Sequence, residues 1–145
     1  KLVAQDGEAY REALMALVDR LGVGDQVTFV DRYLTPAALD ALIGGADVVV
    51  LPYESADQAT SGVLAEAVAA RVPVVATGFP HAVELLAGGA GIVVAHRDPS
   101  AIADAVTRML RSSALPAPGS DATSWDHVGQ AYLNLVGGLL AERAA

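Results

Sequence analysis

Residues 47–51, Asp-Val-Val-Val-Leu, run apolar without alternation from the first valine and stop at Pro52. A short run of this kind, bounded by turn residues, fits a strand buried on both faces. In a chain without membrane spans, only a sheet covered by helices offers such a place. The rest of the chain agrees. "VTFV" (27–30), "PVVAT" (73–77) and "GIVVA" (91–95) are further β-rich runs, separated by longer amphipathic segments. That alternation is what a parallel sheet with crossover helices demands, so the expected class is α/β with a sheet of four or five strands.

The helices are placed by their punctuation. "KLVA" at the start reads as the tail of a strand, and from Asp6 an apolar stripe (Tyr10, Leu14, Leu17, Val18, Leu21) continues until "GVGD" stops it. Thr35 offers an N-cap oxygen with Pro36 at the first helical position, and Leu39 and Leu42 give that short helix its apolar face. Further helices are expected at 62–71, near 80–87, and after Asp98-Pro99. "SSALPAPGSD" (112–121) is the one Pro/Ser/Gly-rich connection, followed by a terminal helix from about Ser124 to Arg143. The expected organisation is an α/β domain over 1–111, a linker over 112–121 and a C-terminal helical segment over 122–145. There is no internal repeat.

Whole-chain quantities exclude several classes. With 145 residues the chain suits one compact domain. Nine Lys and Arg against 17 Asp and Glu give a formal charge of -8, and eight of the nine cations are single arginines. A nucleic-acid backbone needs a basic patch, so no nucleic-acid partner is expected. The absence of cysteine removes disulfides, thiol catalysis and thiolate metal sites together. No window approaches about 18 uninterrupted apolar residues and no secretion leader is recognisable, so a soluble, cytoplasmic protein is expected.

In an open parallel sheet, ligands settle beyond the carboxyl ends of the strands, in loops that lead into helices. Loop 52–60 is such a place, and the helix after it begins near Thr60-Ser61-Gly62. The first amides of a helix lack intrahelical acceptors and carry partial positive charge, which suits a phosphate. Gly62 allows close approach, and the Thr60 and Ser61 hydroxyls can cap the helix or donate to an anion. Glu66 lies one turn further on the same face, where a carboxylate can accept both hydroxyls of a ribose. The plainer reading is a capped helix start followed by a solvated glutamate.

The ordered set of motifs decides between them by resemblance. "ADVVVLPYESADQATSGVLAEAVAARVPVVAT", then "GFPHAVELLAGGAGIVVAHRDPSAIADAV", then "SWDHVGQAYLNLV" resemble the family-4-type retaining glycosyltransferases over nearly the whole chain. The resemblance implies the GT-B architecture of two facing Rossmann-like domains. This chain is similar to the C-terminal, donor-binding half, a doubly wound parallel sheet in three layers, α/β/α, truncated at its N-terminal side. The acceptor domain and the Arg/Lys pair that neutralises the diphosphate would lie upstream. Any membrane association belongs to the full-length protein alone.

The family pairs two glutamates across seven residues. The second matches Glu66, expected to hold the donor ribose; at the first stands Gln58, which supplies only neutral hydrogen bonds. Asp57 and Glu54 are nearby but out of register. His81, after Gly78-Phe79-Pro80, matches a loop that lines the donor-sugar side. The donor-binding set implied is Gln58, Thr60, Ser61, Gly62, Val63, Glu66 and His81, with no residue assigned a catalytic role. Arg97 and Trp125 read as a surface and a packing residue.

What the resemblance implies is sugar transfer from a nucleoside-diphosphate sugar with retention at the anomeric carbon. The partners are that donor and the missing acceptor domain. No cofactor and no metal are expected: no Asp-x-Asp pair occurs, and His81, His96 and His127 are scattered. The alternative is a catalytically inactive nucleotide-binding or interaction module of the same fold. A dinucleotide oxidoreductase lacks its glycine fingerprint here, a serine hydrolase its Gly-x-Ser-x-Gly, and a phosphoacceptor domain its acidic cluster around Asp31.

Overall fold

The computed structural model describes residues 4–111 and 125–144. The chain divides into two compact units, Lys1–Leu34 and Thr35–Ala145.

The first unit is built on helix α1 (Ala4–Leu21). Its end is a Schellman motif: Gly22 takes φ +67, its N–H donates to the Asp19 carbonyl, and the Val23 N–H donates to the Val18 carbonyl. Of the apolar stripe, Leu14, Leu17 and Val18 are half-buried while Tyr10 and Leu21 are exposed. Arg11 bridges Glu8 at 2.9 Å and Asp31 at 3.2 Å, and these contacts, the Glu8 hydrogen bond first, raise the guanidinium pKa above its ordinary value. Two expectations change here. Lys1–Val3 lie outside the described residues, and Ala4 of "KLVA" opens α1 instead of ending a strand. Residues 27–30 form no strand, and all four are exposed. A strand exists only through ladder hydrogen bonds, and no described segment pairs with this one.

The second unit holds α2 (Pro36–Gly44), β1 (Val49–Leu51), α3 (Gly62–Ala69), β2 (Val74–Thr77), α4 (Pro80–Leu86), β3 (Gly91–Val94), α5 (Pro99–Arg111) and α6 (Trp125–Ala144). The three strands lie in the order β1-β2-β3, all parallel, with Val49 opposite Val74 and Val74 opposite Gly91. The fold class is thus α/β, a Rossmann-like parallel sheet flanked by helices. It has three strands among the described residues rather than four or five: Ala4 is helical and 27–30 contribute none.

Central β2 is buried along its whole length, as a strand covered on both faces must be. Val74 and Ala76 join the main apolar cluster with Leu64, Ala67 and Val68 of α3 and Ala82 and Leu86 of α4. Val75 points the other way, where α5 lies against β2 and β3. Leu64, Val74, Val75 and Phe79 are the largest fully buried side chains, and each stabilises the fold by about 1.5–3 kcal/mol. The run that fixed the expectation behaves differently: β1 keeps only Leu51 buried and Val50 is 38% exposed. A strand paired on one side only keeps part of its surface open.

Helix starts follow their caps. The Thr35 hydroxyl accepts the Ala38 N–H at 3.3 Å with Pro36 next, and the Asp98 carboxylate accepts the Ala101 N–H at 2.9 Å. In α2 the core-facing pair is Leu39 with Ile43, four residues apart; Leu42 is exposed, contrary to expectation. The linker 112–121 lies outside the described residues, as does the Trp125 side chain. No helix among the described residues is long and apolar enough to cross a membrane.

Candidate functional site

Helix α3 starts where it does because Ser61 supplies the cap. Its backbone is extended (φ -142, ψ 114), its Oγ accepts the Leu64 N–H at 3.3 Å, and its carbonyl takes the first helical bond from Ala65 at 3.2 Å. The Ser61 N–H is also used: it donates to His81 Nδ1 at 2.9 Å. Among the described residues this leaves the Gly62 and Val63 amides without acceptors. Two successive N–H groups at a helix start make a local positive site suited to an anion. Gly62 is exposed, and a Cβ placed there meets no atom within 4 Å, so the approach is open.

Behind this start, the carboxyl ends of the three strands are tied to one atom. The Tyr53 carbonyl, two residues past β1, accepts Thr77 Oγ1 at 2.7 Å and His96 Nδ1 at 3.0 Å. Thr77 ends β2 and His96 follows β3, so one main-chain oxygen gathers all three strand ends. A carbonyl only accepts, so Nδ1 of His96 carries its proton. His96 Nε2 is buried without a partner. The Tyr53 ring lies 5.0 Å from that of Phe79 at 32°, and its hydroxyl sits 3.3 Å from Ser61 Oγ. Tyr53 therefore links the strand ends to the cap of α3.

The loop between them is polar and exposed. Gln58 folds back so that its Nε2 donates to the Thr60 carbonyl at 3.1 Å. Thr60 is exposed, Val63 packs against the core cluster, and Glu54 pairs with Arg97 at 2.8 Å across the surface. Arg97 is thus a surface residue, as expected. Glu66 is exposed, and its carboxylate makes no hydrogen bond or ion pair among the described residues. The structure brings Ser61, Gly62, Val63 and His81 together, with Gln58 and Thr60 in the adjoining loop and Glu66 one turn along α3. Gln58 and Glu66 share no bond.

The family described as glycosyl transferases group 1 matches residues 2–112, more than half of the chain. This chain belongs to the group 1 glycosyltransferases. Comparison with curated proteins and with solved structures finds no match. Glycosyl transfer from a sugar donor to an acceptor is the chemistry of a group 1 glycosyltransferase. The matched stretch spans α1 to α5 and so contains the whole α3 site. Three residues that tie the strand ends to the start of α3 have no motif in the sequence that marks them: Tyr53, Thr77 and His96. Their signal was position alone, since each stands at or just beyond a strand's carboxyl end. Among the described residues, no three His, Cys, Asp or Glu side chains gather as a metal site. A cavity of about 450 Å³ lies along β3 and α5, lined by residues such as Ile92, Val94, Ala101 and Arg108.

Proposed function

We propose that this chain is the donor-binding domain of a retaining glycosyltransferase that transfers a sugar from a nucleoside-diphosphate sugar. The observation that carries the reading is the pair of unpartnered amides, Gly62 and Val63, beneath an open glycine, with the free Glu66 carboxylate one turn further. Diphosphate charge rests on the amides and the helix dipole, and the ribose hydroxyls donate to Glu66. As the glycosidic bond to the diphosphate breaks, negative charge grows on the leaving oxygen, and preoriented amides lower its energy without reorganising. This mechanism assigns the charge to main-chain dipoles and upstream cations rather than to a metal. An acceptor domain of the same protein supplies the second substrate.

Gln58 favours a second reading. Its Nε2 is engaged by the Thr60 carbonyl, and it cannot carry the charge of the glutamate that the family places there. On that reading the domain binds the donor nucleotide and has lost the chemistry.

Calorimetric titration of UDP, GDP and ADP onto the chain tests the proposal. One base is expected to bind selectively, and Glu66→Ala is expected to weaken it by about 1–3 kcal/mol while leaving the melting temperature unchanged. No binding by any nucleotide, or equal affinity in the variant, refutes the donor site.

A further inference from the structure

We infer that His81 is a positioning residue of the diphosphate cradle, acting through the Ser61 amide; the inference rests on the donor-site reading above. Ser61 is buried, 6% exposed, so its N–H has no access to water and needs a protein acceptor. His81 Nδ1 is that acceptor, at 2.9 Å and twenty residues away in sequence. The bond joins the start of α4 to the start of α3. Because a backbone N–H can only donate, Nδ1 must be unprotonated, and the ring proton of the neutral imidazole sits on Nε2. An imidazolium has no lone pair to offer and breaks the link.

The link has a consequence for the ligand. A helix start presents several orphan amides, and an anion can settle on any adjacent set. With the Ser61 N–H taken by His81 and the Leu64 N–H taken by Ser61 Oγ, the anion is confined to Gly62 and Val63. That places the phosphate against Gly62, where an added Cβ would meet no atom within 4 Å. It also sets the phosphate one turn from Glu66. His81 thus defines the register between the two ends of the nucleotide without itself carrying charge.

Two isosteric variants separate the ring nitrogens. The Asn amide oxygen can occupy the place of Nδ1, whereas the Gln amide reaches only the place of Nε2. The test titrates UDP, GDP and ADP onto the wild-type chain, His81→Asn and His81→Gln. Two-bond proton–nitrogen correlation spectra of the wild-type imidazole accompany the titrations. The expected result is an Nε2–H tautomer, near wild-type affinity in His81→Asn, and a loss of roughly five- to hundredfold in His81→Gln. A melting curve for each variant separates this loss from unfolding. An Nδ1–H tautomer overturns the inference even if neither variant folds. So does equal affinity in the two variants, or tighter binding in His81→Gln, which would mean that the freed Ser61 amide serves the anion better. Failure of the wild-type chain to bind any nucleotide defeats the donor-site reading and this inference with it, whereas wild-type binding with indifferent variants defeats this one alone.

Discussion

Arg71 holds a backbone conformation that suits glycine, with φ 58. It closes α3 in a Schellman motif, its N–H donating to the Val68 carbonyl and the Val72 N–H to the Ala67 carbonyl. A side chain in that region costs about 1–2 kcal/mol, and a glycine's greater freedom when unfolded returns about 0.5–1 of it. Arg71→Gly is therefore expected to stabilise the chain by about 0.5–1 kcal/mol, read as a rise in melting temperature. Ser61→Ala removes the hydroxyl that receives the Leu64 N–H and faces Tyr53; thermal or urea unfolding is expected to show a loss of about 1 kcal/mol. Much of this scale could be read in advance. Ser61 as a cap and Glu66 off the core face follow from the spacing of Leu64, Ala67 and Val68. The partnership of His81 with Ser61 could not, because nothing local couples residues twenty positions apart.

Between elements, the closest approach is at the start of β3. A Cβ on Gly91 would stand 2.2 Å from the Val74 carbonyl oxygen, a main-chain atom within the sheet that cannot swing aside. Gly91→Ala is expected to cost about 1–3 kcal/mol or more in denaturant unfolding, by forcing β2 and β3 apart. Asp98→Ala removes the cap of α5 and is expected to cost about 1 kcal/mol in the same measurement. The strands that proved right, β1 to β3, were legible because each apolar run finds a parallel neighbour. Residues 27–30 carry an equally good run, yet a β-rich composition states only a willingness to pair and names no partner. The same limit explains Leu42: helical spacing allowed it on the apolar face, and the position of the core selected Ile43 instead.

At the scale of the molecule, a charge of -8 and an isoelectric point near 4.6 set its behaviour in solution. Solubility measured against pH is expected to pass through its minimum close to 4.6, and fluorescence anisotropy with duplex DNA is expected to show no saturable binding at about 0.15 M salt. The apolar side chains of α6, including Leu133, Val136 and Leu140, are exposed, so that minimum should coincide with self-association. The knot at Tyr53 has a different kind of consequence. The atom that Thr77 and His96 grasp is a peptide oxygen, present whichever amino acid occupies the position. Replacing the ring there would strip the aromatic stacking and the phenol's reach, yet the three strand tips would stay lashed together. Specificity could thus drift in the loop while the frame beneath it keeps its shape.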